Sequence, residues 1–372
     1  MSKVKNILAV VLSALFIFGF SVWSLILPDK YLSETERSKL QQFPELSFDT
    51  ILSGEFMTNF ESYTLDQFPL RDTFRTIKAL TAYYPLAQKD NNKFYNKDGY
   101  IVKMEYPMNT DSIDYATSRF QLIYDRWLKD TNVNIYLSVV PDKNYFVADE
   151  GYLSMDYDKF VSTVQKSMSW AEYIDIFPTL ELSDYYKTDT HWRQESIVDT
   201  AMVLAEAMGA TLDGEYTLNK TDTPFYGVYY GQSAMSYLSP DDLNYLTNQV
   251  LANCIVTDLD TNTVIPLYDM DKLTTDDPTK IADPYEMFLS GPNRGNLVIE
   301  NPLATTDKEL IIIRDSYANA LAPLMVEGYK KVTLVDIRKA HPALIGSYIP
   351  FDNQDVLFLQ STLVLNDSSE MK

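Results

Sequence analysis

Two histidines, His191 and His341, occur among 372 residues, so imidazole chemistry has two possible centres. His191 lies in Lys187-Thr188-Asp189-Thr190-His191-Trp192, two residues after a carboxylate. His341 stands in Lys339-Ala340-His341-Pro342, with no acid immediately beside it after Asp336. In an extended chain, side chains two apart point the same way. Asp189 can then accept from one ring nitrogen of His191 while the other faces a hydroxyl, an orienter and a base awaiting a nucleophile. Ser316, in Arg314-Asp315-Ser316, supplies that hydroxyl between the apolar run 309–313 and a helical pattern starting near Tyr317. In a parallel α/β sheet this is the carboxyl edge, where active sites collect and helix N–H groups favour an oxyanion. A serine there also suits a helix N-cap, and a histidine among polar neighbours also suits a structural role, so position alone leaves both roles open.

The same Asp-x-His spacing can hold a divalent ion. Zinc sites in hydrolases draw on more than one histidine or on a cysteine pair, and this chain has only His341 and the single Cys254 besides. Neither a metal nor another cofactor is expected, and Cys254 is expected to pack as a small hydrophobe. Lys143 and Asn144 follow the apolar run 133–140, at the same expected sheet edge as Ser316. They are candidates for binding a substrate anion or the oxyanion, against the alternative of a solvated turn. The 27 tyrosines suit stacking on sugars, though most such rings belong to core or rim.

The elements that must position these residues alternate along the chain. Helical spacing is expected over 115–127, 195–208 and 317–328, and buried strands over 133–140, 309–313, 331–338 and 356–360. Such alternation predicts an α/β fold, a mostly parallel sheet with helices on both faces. Asp98-Gly99 between apolar flanks predicts a hairpin within 91–102. Residues 212–301, richer in Asp, Thr, Asn and Pro, read as an insertion of short strands and loops.

Lys plus Arg number 31 against 52 Asp plus Glu, and the net charge of -21 argues against a nucleic-acid partner. Membrane attachment therefore requires a dedicated apolar segment. Residues 7–27 carry no charge, follow Lys3 and Lys5, and as a helix span about 30 Å, the thickness of a bilayer core. The run ends in Trp23, Leu25, Ile26 and Leu27 without a small-residue cleavage pattern, which favours a signal anchor over a cleaved signal. The expected organisation is a cytoplasmic end (1–6), a transmembrane anchor (7–27), a stalk with lead-in helices (28–86), an α/β domain (87–366) and a tail (367–372). The basic end places everything after the anchor outside the cell membrane.

TDTHW (188–192) and IIIRDSYANAL (311–321) resemble the paired motifs of the DHHW protein family, which is similar to the alginate O-acetyltransferase-like branch of the SGNH hydrolase superfamily. The resemblance extends to the anchor, to 33–47 (SETERSKLQQFPELS), to SGEF and LDQFPLRD, and to VVPDKN (139–144), covering most of the chain outside the insertion. It implies an extracytoplasmic SGNH-hydrolase-like domain with Asp189 and His191 as the acid–base pair and Ser316 as nucleophile. It also implies a membrane-bound O-acyltransferase as partner. In that branch the Asp-His pair precedes the serine, as here. Thr190 departs from the family name's first histidine, and Arg314 stands where ordinary SGNH esterases have glycine before Asp-Ser. The superfamily's separate Gly and Asn oxyanion motifs have no evident counterpart, Asn144 being the substitute considered. The function expected is a serine esterase or O-acetyltransferase-like protein acting on cell-surface polysaccharide. The alternative is a non-catalytic envelope protein that keeps the fold for glycan binding or assembly.

Overall fold

Runs of consecutive β-branched and aliphatic residues, such as Glu309–Arg314 (ELIIIR) and Asp355–Ser361 (DVLFLQS), are suited to strands buried on both faces. In the computed structural model they form the middle of one sheet. The structure describes all residues except 1, 34, 278–279 and 292–293. The first residue of the expected cytoplasmic end, one position of the 33–47 segment and four of the expected insertion therefore lie outside the described residues.

Eight strands make the sheet: β1 (Asn134–Val140), β2 (Glu172–Tyr173), β3 (Ile255–Asp258), β4 (Thr263–Ile265), β5 (Asn296–Glu300), β6 (Glu309–Arg314), β7 (Lys331–Val335) and β8 (Asp355–Ser361). Their order is β4-β3-β5-β7-β6-β8-β1-β2. Strands β7, β6, β8, β1 and β2 are parallel, whereas β5, β3 and β4 extend one edge, each antiparallel to its inner neighbour. The segment read as an insertion thus supplies three strands to the main sheet. Its strands are short, with apolar runs of only two or three residues.

The pleat sends alternate residues to opposite faces. Leu310, Ile312, Leu357 and Leu359 join one core layer with α3 (Val198–Ala207) and α4 (Ala318–Met325). Ile311, Ile313, Val356 and Phe358 join the other with α1 (Thr110–Ile123) and α2 (Tyr157–Ser167). On α1 the buried Ile113, Ala116 and Phe120 sit at helical spacing. The helix begins earlier than its apolar stripe suggests because Asn109 accepts from the Ser112 N–H at 3.2 Å and caps it. The hairpin pairs Phe94–Lys97 with Tyr100–Lys103 across Asp98 and Gly99, whose φ angles of 51° and 88° are the left-handed values a tight two-residue turn requires.

The chain divides into two compact units. The sheet, its helices and the hairpin belong to Asn92–Tyr229, Leu238–Thr275 and Ala282–Lys372. Met1–Asn91, Tyr230–Tyr237 and Asp276–Ile281 form the other. In that second unit the helix Ser2–Ile26 contains 24 residues, Lys3–Ile26, long and apolar enough to cross a membrane, with mean hydropathy 2.3 over an 18-residue stretch. Helices Phe48–Ser53, Glu55–Asp66 and Arg71–Tyr83 follow it.

Candidate active site

Strand β6 lies between β7 and β8, with Ile313 in register with Val335 and Phe358, and delivers Arg314-Asp315-Ser316 to its carboxyl end. Asp315 is fully buried and ties this corner together: one carboxylate oxygen accepts from the Ser361 N–H at 2.7 Å, the other from the Tyr317 N–H at 3.0 Å. Tyr317, not Ser316, occupies the N-cap position of α4. The Ser316 hydroxyl is instead 2.8 Å from Nε2 of His191.

His191 comes from an irregular loop. Tyr185 and Trp192 pair as an isolated antiparallel bridge, and the Tyr186 N–H donates to the His191 carbonyl at 3.0 Å. Asp189 and His191 therefore meet across a turn at the tip of this narrow loop, where an extended chain was expected. Asp189 accepts the backbone N–H of His191 at 3.0 Å, a local Asx-type bond, and the same oxygen lies 2.6 Å from Nδ1 of the ring. Its second oxygen accepts from the Val228 N–H at 2.8 Å. A buried carboxylate held this way is an acceptor, so Nδ1 donates to it and the Nε2 lone pair faces the Ser316 hydroxyl.

Non-local contacts hold the loop. Asp241 accepts from the N–H groups of Lys187 and Thr188 at 2.8 Å each, and from the Thr188 hydroxyl at 2.6 Å. The Lys143 ammonium donates to the carbonyls of Tyr186 at 2.9 Å and Lys187 at 3.3 Å, beneath the Tyr229 ring. Tyr317 donates to the Thr190 carbonyl at 2.7 Å, and Trp192 donates to the Tyr317 carbonyl at 3.0 Å. The residue after the serine is thus bonded directly to the segment carrying the imidazole. Gly227 permits a close passage, because a Cβ there would fall 2.2 Å from the Asp189 Cβ.

Tyr285 stacks on the His191 ring, 3.8 Å between centroids and 8° from parallel. Burial, then the charges of Asp189 and Asp315, hold its phenol well above the usual range, so it faces the imidazole neutral. Burial brings Lys143 down to about 7, against the pull of Asp241, Asp189 and Asp142. Asp142 is pushed up to about 6, first by burial and then by Glu105.

No family model matches the chain, nor does any curated protein sequence. Among solved structures it matches a DHHW family protein from Eubacterium siraeum at 19% identity, covering 74% of this chain and 92% of that one with a TM-score of 0.55. It also matches PatB1 of Bacillus cereus carrying a sulfonyl adduct, at 17% identity over 73% of this chain and 95% of that one, TM-score 0.55. A second PatB1 structure gives 17% identity, 74% and 97% coverage and the same TM-score. The chain has the fold of a DHHW family protein.

Within this DHHW fold the sequence candidates divide. Asp189, His191 and Ser316 are brought together. Lys143 is buried and bonded to the backbone of the loop that carries Asp189 and His191. Asn144 is fully buried, its carbonyl oxygen accepting from the Tyr95 hydroxyl at 2.6 Å and its amide donating to the Leu153 carbonyl at 3.3 Å. Arg314 is buried beside Asp336, 3.7 Å away, and donates to the Arg294 carbonyl at 3.0 Å; burial lowers its pKa. His341 is exposed and accepts from the Ala343 N–H at 3.1 Å, apart from the cluster. Tyr285, Tyr317, Asp241 and Gly227 were not legible as site residues. Only Tyr317 carried a signal, adjacent to Ser316 within the DSY run.

Proposed function

We propose that this protein is a membrane-anchored, extracytoplasmic serine esterase or O-acetyltransferase acting on cell-surface polysaccharide, with Asp189, His191 and Ser316 as its catalytic triad. The observation that carries the reading is the continuous relay from Ser316 Oγ to His191 Nε2 at 2.8 Å and from Nδ1 to Asp189 at 2.6 Å. In the reaction His191 removes the Ser316 proton as Oγ attacks an acetyl carbonyl. Asp189 holds the ring and balances the imidazolium charge. The tetrahedral oxyanion collapses, the leaving oxygen takes the proton from His191, and acetyl-Ser316 remains. Water or a sugar hydroxyl, deprotonated by His191, then takes the acetyl group and restores the serine. Helix α4 starts two residues after Ser316, so its positive end favours negative charge beside the hydroxyl.

The fold shared with PatB1 supports this chemistry, because that protein has been seen with a sulfonyl adduct and sulfonylation is a reaction of activated hydroxyls. Transfer outside the cell needs an acetyl donor delivered through the membrane, which a membrane-bound O-acyltransferase partner would supply. The apolar helix Ser2–Ile26 would serve as the anchor. The test is labelling by a sulfonyl fluoride, with turnover of a chromogenic acetyl ester in parallel. Wild type should react and Ser316→Ala should not; equal behaviour of the two folded proteins would leave the non-catalytic envelope role.

A further inference from the structure

Residues 28–86 were expected to hold a stalk and lead-in helices. Two of their aromatic side chains contact the N-terminal helix. Phe20 lies six residues before Ile26, roughly 9 Å below the helix end at 1.5 Å per residue. Its ring stacks on Phe68 at 5.4 Å and 7°, and meets the edge of Phe74 at 5.7 Å and 70°. Phe68 and Phe74 also touch each other at 5.7 Å. These rings belong to the loop and the helix that follow Glu55–Asp66, yet they sit at the level of a residue well inside the apolar helix.

Polar bonds fix the same arrangement from above. Gln67 accepts from the Lys30 N–H and donates to the Lys30 carbonyl, both at 2.9 Å, and Tyr63 donates to Asp29 at 2.9 Å. A cavity of about 790 Å³ opens here, with Trp23, Leu27, Phe68 and Leu70 on its apolar wall and Asp29, Lys30, Asp66 and Arg71 on its polar one. Leu65 and Leu70, which flank Phe68, are 64% and 52% exposed. Leu70 holds a φ of 58°, outside the favoured region for a leucine, with its side chain outward at the head of helix Arg71–Tyr83. Beside a spanning helix, Phe68 and Phe74 at the level of Phe20, and the exposed Leu65 and Leu70 next to them in sequence, would be surrounded by the interfacial part of the outer leaflet. A depth of roughly 5–10 Å is where amphipathic segments and aromatic belts settle.

We propose that residues 65–74 form a membrane foot, with Leu65, Phe68, Leu70 and Phe74 embedded in outer-leaflet lipid around the last turns of the anchor. The inference rests on the reading of Ser2–Ile26 as a transmembrane anchor. Its occupant is lipid rather than a protein because the ring contacts with Phe20 fix the depth, and lipid is the medium next to a single-pass helix there.

The test uses the full chain in phosphatidylglycerol–phosphatidylcholine nanodiscs. In a Cys254→Ser background, single nitroxide labels are placed by Phe16→Cys in the anchor, Leu65→Cys and Leu70→Cys in the foot, and Val264→Cys, 71% exposed on the sheet unit, as the water reference. Accessibility to oxygen and to a water-soluble nickel chelate is read by spin-relaxation. The expected result is that labels at 65 and 70 behave like the label at 16, with oxygen contact several-fold above that with nickel. Labels at 65 and 70 that match 264 while 16 stays in lipid would overturn the foot and leave the anchor standing. A label at 16 open to nickel would remove the anchor reading and the foot with it. Labels at 65 and 70 closed to both reagents would mean that protein, a partner or a second copy, covers the face, and would also overturn the proposal.

Discussion

The two segments that meet at the site are built on opposite plans. Ser316 stands at the end of an interior strand, fixed by ladder bonds to β7 and β8 and by one carboxylate, Asp315, next to it in sequence. His191 and Asp189 stand on a loop whose regular structure is a single bridge, and groups 39 to 53 residues away hold it: Val228, Lys143 and Asp241. The role proposed for Ser316, a nucleophile, needs one exposed atom at a fixed point, which the carboxyl end of a strand supplies. The role proposed for Asp189 and His191, an acid–base pair, needs two bonds aligned at once, and here several distant donors and acceptors over-determine the loop. Damage near Ser316 should therefore act through the sheet, and damage to the loop should act through geometry at a distance.

The largest effect sets the scale of that comparison. If the two segments form one catalytic unit, Ser316→Ala and His191→Ala should each lower acetyl-ester turnover by about 10³-fold or more, and the double variant should be scarcely worse. Asp189→Asn should cost about tenfold less than either, since the imidazole remains though poorly held. Steady-state turnover of the four proteins decides it; additive losses for Ser316 and His191 would mean two separate sites.

Gly227→Ala tests whether distant backbone sets the loop. The added methyl would lie 2.2 Å from the Asp189 Cβ and 2.4 Å from its Cα, so one of the two chains must move. Overpacking of this kind costs about 1–3 kcal/mol, and a shift near 1 Å at the carboxylate about 100-fold in rate. Unfolding in denaturant and turnover measure the two effects. Wild-type turnover in this variant would show that the loop tolerates the movement.

The contrast also explains what could be read in advance. Strands β6 and β8, the α4 segment and the Asp-x-His pair were legible because each is a local pattern: a continuous apolar run, a helical stripe, a fixed spacing. The antiparallel strands β3, β4 and β5 were not, since Ile255–Asp258 and Thr263–Ile265 alternate weakly and gain their burial only by joining the sheet. Nor were the supports of His191. Asp241 and Tyr285 lie in polar stretches resembling ordinary surface, and their role arises from contacts across 50 or more residues, which no spacing encodes. The turn joining Asp189 to His191 was misread as extended because both geometries put those two side chains on one side.

Lys143 offers a smaller effect with a definite sign. Its native value of about 7 lies below the 10.5 of an unperturbed lysine, burial being the main cause. Between those values the unfolded chain binds more protons than the native one, so the Lys143 contribution to stability rises with pH across that window. Relative to Lys143→Met, the wild type should gain stability from pH 7 to 9, as read by chemical unfolding at each pH. A difference that stays flat would mean the ammonium keeps its ordinary value. Turnover should fall about tenfold in the Met variant, because the carbonyls of Tyr186 and Lys187 lose their donor and the loop loosens.

The smallest effect isolates the ring face of the loop. Tyr285 touches His191 by stacking, with centroids 3.8 Å apart, and the negative face of a neutral phenol ring favours an imidazolium over an imidazole. In the proposed reaction the gain, about 0.5–1 kcal/mol, would appear when His191 takes the serine proton. Tyr285→Leu should therefore slow turnover only about threefold. Tyr285→Phe keeps the ring face and should restore the rate, although it loses the weak 3.4 Å bond from the phenol to the Ser316 carbonyl. If Phe and Leu behave alike, that hydroxyl and not the stacked face is what Tyr285 contributes, and the loop would then depend on the nucleophile's own backbone for part of its alignment.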